Sequence, residues 1–325
     1  MITKILKPTK SNIEKCALEL KKGNIVAFPT ETVYGLGANA LNPKAVKKIF
    51  VAKGRPQDNP LIVHIANKND LKKYVINVPK KAEILINKFW PGPLTVVLKK
   101  KNIIPDIITA GLNSVAIRMP QNKTALKLIK ISNCPIAAPS ANSSGKPSPT
   151  KAMHVFDDLK GKIKYIIDGN ECNIGIESTV IDFTSRIPTI LRPGRITQEI
   201  IEKTIGKVYI AIKQTSEVRS PGMKYTHYKP NAEVILVKTK IAQKFVNNLC
   251  KNNKVLFIVN SKTKINTNQI LRYNTNEDLA KNIFSWFRAA DKSKNNIIVV
   301  EATKETGLGT AIMNRLKKAS NVILE

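Results

Sequence analysis

The sequence predicts an α/β protein with α+β character: a twisted mixed sheet with flanking helices, followed by a small parallel α/β domain. Three observations predict it. Short apolar runs and amphipathic stretches share the first ~205 residues, but their order is not a clean βαβ series. From Glu233 the pattern changes to regular strand-helix alternation. The 325 residues, 42% of them hydrophobic, suit one large or two medium domains with ample core.

The elements follow in chain order. Residues 12–22 and 43–52 read as amphipathic helices, and residues 25–28 and 61–65 as strands. Helices are expected again at 79–90, 123–131 and 197–204. Strands are expected at 94–98, 115–119, 165–168, 179–183 and 189–192. Between residues 28 and 43, PTETVYGLG reads as a hydroxyl- and glycine-rich turn. Residues 1–205 are thus one domain, 206–232 a poorly periodic connector, and 233–325 a second domain. The second domain is expected to hold strands at 234–237, 255–259 and 297–300 and helices at 242–252, 278–290 and 311–319.

Four segments carry candidate chemistry. Lys53-Gly54-Arg55-Pro56 ends a helix and leads through Asn59-Pro60 into the strand that delivers His64. Two cations on a rigid corner suit an anion, most simply phosphate, although cations also favour a helix C-terminus. The loop from Ala138 to Ser148 is dense in hydroxyls, with one amide and one Gly, and offers donors to phosphate or ribose oxygens; the alternative is a Ser/Pro-rich surface loop. Ser178 lies in GIESTVID, and Arg192 and Arg195 flank a Pro-Gly turn, as a second anchor or as edge charges of a hairpin. Arg118, inside the apolar run SVAIRM, needs an anionic partner. Asp168 and Asp182 read as strand-end residues, and Gly307-Leu308-Gly309 as a helix start rather than a dinucleotide loop. The inventory suits a nucleotide and a small anion, with catalysis by positioning and charge neutralisation.

Composition narrows the classes. The net charge is +31, carried by 45 lysines against nine arginines. This invites a polyanionic partner such as RNA, or reflects a lysine-rich composition. Four scattered cysteines without a CxxC pair argue against a disulfide framework or zinc site. No apolar run reaches the ~18 residues of a membrane span, and MITKILKPTK lacks a secretory core, so the expected compartment is cytoplasmic, with no membrane contact.

Taken together, PTETVYGLG (29–37), KGRP (53–56), NPLIVH (59–64), WPGPLT (90–95), PSAN (139–142), ESTVID (177–182) and LRPGRI (191–196) resemble, in order, the Sua5/YrdC/YwlC family. SPGMKYTHYKP (220–230) resembles the linker of its long, Sua5-type members, and GLGTAIMNRLKKA (307–319) the end of their C-terminal domain. The resemblance implies a YrdC-like mixed sheet, an active-site lid at 206–232 and a Rossmann-like C-terminal domain. It implies synthesis of threonylcarbamoyl-AMP from L-threonine, bicarbonate or CO2 and ATP, the first step of t6A37 tRNA modification. The carboxylate of N-carboxythreonine attacks the α-phosphorus and pyrophosphate leaves.

By the same resemblance, Lys53, Arg55, Asn59, Ser114, Ser140, Asn142, Ser148 and Arg192 hold ATP, with Arg195 and Asn231 as further members; Lys53 and Arg55 are the expected catalytic residues. Thr32, His64, Arg118, Ala138 and Ser178 hold threonine. Mg2+ comes with ATP, with no protein metal motif. A TsaD/Kae1-type transferase machinery is the implied partner, with possible tRNA or double-stranded RNA contact. The alternative reading is a non-catalytic RNA-binding factor. A carbamoyl-adenylate enzyme of hydrogenase maturation is the third; the chain shows no acylphosphatase-like or zinc-finger segment.

Overall fold

A computed structural model describes residues 1–211 and 228–325. They divide into two compact units, the second of which includes Gly145–Pro147.

The first unit carries eleven strands: β1 (Lys4–Leu6), β2 (Val26–Phe28), β3 (Gly35–Asn39), β4 (Ile62–His64), β5 (Leu94–Lys99), β6 (Ser114–Arg118), β7 (Ile136–Ala137), β8 (Tyr165–Ile167), β9 (Thr179–Asp182), β10 (Thr189–Arg192) and β11 (Tyr209–Ile210). They form one sheet in the order β1-β8-β2-β3-β7-β4-β6-β5-β9-β10-β11. Parallel pairs such as β4/β6 and antiparallel pairs such as β5/β6 mix, as expected.

Alternation assigns the two faces of the central strands. Val63, Val96, Leu98, Val115, Ile117 and Ile181 point into the main hydrophobic core. Their neighbours Ile62, Thr95, Val97, Ala116, Arg118 and Val180 therefore face the other way.

The helix Pro43–Lys53 shows how local signals aim a site. Asn42 caps it by accepting from the Ala45 N–H at 3.1 Å, and Pro43 fits its first turn. Gly54 ends it at φ 61°, the left-handed conformation that reverses the chain between Lys53 and Arg55.

One expectation is corrected. The stretch read as a turn contains β3, antiparallel to β2, with Gly37 opposite Val26. A Cβ on Gly37 would lie 2.7 Å from Ile136 Cγ2 and 2.8 Å from Phe28 Cε1, so glycine here permits close packing. The helix Ala152–Leu159 also went unforeseen; Lys151 gives it no side-chain cap.

The second unit holds β12 (Glu233–Val237), β13 (Val255–Asn260), β14 (Ile270–Tyr273), β15 (Ile297–Glu301) and β16 (Val322–Leu324), in the order β14-β13-β15-β12-β16, all parallel. This is the small parallel α/β domain expected. Its helices include Asn276–Lys292 and Leu308–Ala319, and Gly307 caps the latter, as read from the sequence. The expected lid falls largely on residues 212–227, which lie outside the described residues. No helix among the described residues is long and apolar enough to cross a membrane.

Candidate functional site

Strand register assembles the site. His64 pairs with Arg118 across β4 and β6, and Arg118 with Thr95 across β6 and β5. Thr95 pairs with Val180 on β9, and Val180 with Arg192 on β10. Cross-strand partners share a face, so His64, Arg118, Thr95 and Arg192 stand in one row. Arg192 joins it because β10 slips register between Ile190 and Arg192, leaving Leu191 as the extra residue. The next row is apolar: Ile62, Ala116 and Val97 cluster with Val180 and Leu191. Ser114 follows on the same face opposite Lys99, about 13 Å along β6 from Arg118.

The turn before β3 packs onto this row. Thr30 Oγ1 accepts from the Thr32 and Val33 N–H groups at 3.2 Å each, a hydroxyl-capped turn. Arg118 Nη1 donates to Thr32 Oγ1 at 3.0 Å, and its Nε to the Gly92 carbonyl at 3.2 Å. The anionic partner that Arg118 required is Glu31, whose Oε1 lies 2.6 Å from Nη2. Glu31 and Arg118 are 7% and 4% exposed.

The Lys53-Gly54-Arg55 corner meets the Ser140–Asn142 loop. Lys53 Nζ donates to the Ser140 carbonyl at 2.6 Å and to the Asn142 carbonyl. Arg55 Nη2 donates to the carbonyls of Asn59 and Pro60 at 3.2 and 3.1 Å. Lys53, Arg55, Asn59 and Asn142 are all buried. Ala138 enters the same loop, its N–H donating to the Ile62 carbonyl at 2.9 Å. Buried cations tied to backbone carbonyls are held in place before any anion arrives.

Ser178 sits under the row, with Oγ 2.8 Å from Thr95 Oγ1 and accepting from Arg192 Nη2 at 3.1 Å. Ser148 Oγ donates to Glu177 Oε1 at 2.5 Å, both buried. Arg195 is half-buried, directly after the Pro193-Gly194 turn. Asn231 is exposed in the second unit, where its N–H donates to Asp291 Oδ1 at 2.9 Å.

Electrostatics fix two protonation states. Burial first, and then the Arg118 charge, push the His64 imidazole down to about 3, so it is neutral near pH 7. Burial, helped by Glu31, pushes the Cys172 thiol up, so it stays protonated. Asp168 and Asp182 act as strand-end acceptors, for the Asn170 N–H at 3.0 Å and the Thr184 N–H at 2.8 Å.

Sequence reasoning quoted the segments holding Glu31, Thr95 and Glu177 but gave these residues no role. An acid placed among hydroxyls, in a chain with only 23 acids against 54 bases, was the available signal for Glu31.

Comparison with known proteins identifies the family. A family model described as "Telomere recombination" (Sua5_yciO_yrdC) matches residues 19–194, and one described as "Threonylcarbamoyl-AMP synthase, C-terminal domain" matches residues 196–321. The threonylcarbamoyl-AMP synthase of Pyrococcus abyssi is 50% identical, over 93% of this chain and 92% of its own. That of Bacillus subtilis is 44% identical, over 98% and 96%. The crystal structure of P. abyssi Sua5 complexed with L-threonine superposes with a TM-score of 0.92 at 46% identity, covering 99% of this chain and 100% of that one. With matches running through both units and almost end to end, the chain belongs to the Sua5/YrdC/YciO family of threonylcarbamoyl-AMP synthases.

Proposed function

We infer that the protein joins L-threonine, bicarbonate or CO2, and ATP into threonylcarbamoyl-AMP, releasing pyrophosphate, as a nucleotidyltransferase opening the t6A37 modification of tRNA. The carrying observation is that one unit holds both a buried guanidinium row and the buried Lys53-Arg55 corner, in a chain similar from end to end to named synthases.

The roles follow from chemistry. Arg118, with Thr32 bound to it, suits the threonine α-carboxylate, since a guanidinium matches carboxylate geometry. Neutral His64, Ser178 and the Ala138 backbone suit further contacts to threonine. Lys53 and Arg55, backed by Ser140, Asn142, Asn59, Ser148 and Arg192, suit the triphosphate and its adenylate product, with Arg195 as a further contact. The apolar floor and Ser114 suit the nucleoside. Magnesium arrives as part of MgATP, held by phosphate oxygens.

The substrate supplies its own nucleophile. Threonine's amine attacks CO2 and loses a proton, giving a carbamate. A carbamate oxygen attacks the α-phosphorus, the bond to the β-phosphate oxygen breaks, and pyrophosphate departs. Lys53 and Arg55 neutralise charge developing on the phosphates. Transfer of the product to tRNA would fall to a TsaD/Kae1-type partner in the cytoplasm.

The test is pyrophosphate release from ATP and bicarbonate, with threonine present or omitted. We expect threonine-dependent release, reduced at least ~100-fold in Lys53→Ala and Arg55→Ala while the circular dichroism spectrum is unchanged. Normal turnover in both variants overturns the assignment.

A further inference from the structure

We infer that Glu31 is a specificity-determining residue that reads the α-amino group of the amino-acid substrate, so that Glu31 and Arg118 clasp a zwitterion from its two charged ends. The inference rests on the activity proposed above and deepens it.

Three observations carry it. First, Glu31 is nine-tenths buried, yet neither carboxylate oxygen has a hydrogen-bond partner. Its Oε1 lies 2.6 Å from Arg118 Nη2, but outside hydrogen-bond angles, and Nη2 has no acceptor either. A buried carboxylate left in that condition is costly, and a purely structural ion pair would have closed its hydrogen bonds. Second, neither side chain is placed by chance. Arg118 is fixed by Gly92 and Thr32 through its Nε and Nη1, which leaves the Nη2 edge turned toward Glu31. The Glu31 carbonyl accepts from the Ile174 N–H at 3.0 Å, and the adjoining turn is closed by Thr30. Third, the charge balance is local. His64 beside Arg118 is neutral and the Cys172 thiol beside Glu31 is protonated. Neither group therefore adds a charge to the Glu31–Arg118 pair.

An α-amino acid presents the complementary pair, a carboxylate and an ammonium separated by a single carbon. Inserting it exchanges the poorly aligned Glu31–Arg118 contact for two well-directed ones. It also orients the nitrogen that is to be carboxylated. A hydroxy acid of the same shape would satisfy Arg118 but leave Glu31 without a cation. Sites built this way reject such analogues strongly, because their own buried polar group is left unpaired.

The experiment is a cycle between side chain and ligand. KM for L-threonine and the inhibition constant of 3-hydroxybutyrate, which lacks the amine, are measured for the wild type, Glu31→Gln and Glu31→Asp. We expect Glu31→Gln to raise KM for threonine at least ~10-fold while 3-hydroxybutyrate binds within about two-fold of wild type, and Glu31→Asp to recover part of the loss. Equal weakening of both ligands would show that Glu31 only holds Arg118 in place, and an unchanged KM would show that it reads nothing; either overturns the inference. Should Glu31→Gln fail to fold, the wild type alone decides: 3-hydroxybutyrate must bind at least ~10-fold more weakly than threonine, and equal affinity overturns the inference. Wild-type threonine-dependent pyrophosphate release is recorded first. Its absence removes the activity itself, whereas its presence beside an indifferent Glu31→Gln removes the inference alone.

Discussion

A histidine held neutral between a phenyl ring and a guanidinium links the site to acid stability. His64 meets the Phe28 ring edge-on at 6.2 Å between centroids and is held at a pKa of about 3 by burial and Arg118. In the unfolded chain it titrates near 6.5. Its folded pKa is therefore depressed, so below about 6.5 the unfolded state binds the proton that the folded state refuses. Stability is present in full above that value and falls as pH drops, by up to about 1.4 kcal/mol per unit. Lowering pH from 7 to 5 should reduce Tm in the wild type, and His64→Gln should flatten that slope even if its Tm at pH 7 is lower. Equal slopes would mean that His64 reaches its proton in the folded state. Catalysis should accordingly show no inflection from this imidazole near pH 6.5.

At the scale of elements, two glycines shape the site for different reasons, and substitution separates them. Gly54 has φ 61° and nothing within 4 Å of its missing Cβ, so Gly54→Ala meets only a conformational cost, about 1 kcal/mol. Asn tolerates that conformation, so Gly54→Asn should restore most of the stability and the spacing of Lys53 and Arg55. Gly37 carries no positive φ but faces Ile136 and Phe28 at under 3 Å, so Gly37→Ala should cost about 1–3 kcal/mol by overpacking, and Gly37→Asn more, with no rescue. Urea denaturation of the four variants checks the contrast. The same elements show what was legible. Ser114-Val115-Ala116-Ile117-Arg118 announces a strand as an apolar run whose Arg118 demands a partner, and Asn42, Pro43 and Gly54 announce a helix from cap to cap. By contrast, β3 is written in glycine and alanine, whose fitness for a strand lies in what packs on them. Glu31 stood out only as an acid among hydroxyls; its role stayed hidden because its partner sits on β6, far along the chain, and only the sheet brings them together.

Across the whole molecule, the two kinds of cation are used differently. Arg55, Arg118 and Arg192 are buried in the first unit, and Arg288 and Arg315 in the second, so five of the nine arginines lie inside. Among the described lysines only Lys53 is buried. Arginine serves here as a rigid fork for fixed partners, and lysine as a solvated surface that carries most of the +31 charge. Salt separates these roles, since the Debye length shrinks from about 14 Å to about 7 Å between 50 and 200 mM while buried contacts are screened far less. Over that range, retention of tRNA by the lysine surface should weaken by roughly 10³-fold, following counterion release. With the proposed assignment of its phosphates to the enclosed Lys53-Arg55 corner, KM for ATP should move by no more than about three-fold. Filter binding and steady-state kinetics in the same buffers decide it. If KM for ATP rose in step with the loss of tRNA, the surface field rather than the buried corner would be holding the nucleotide. If tRNA stayed bound at 200 mM, the lysine surface would be a specific RNA-binding face and the net charge more than a bias of composition.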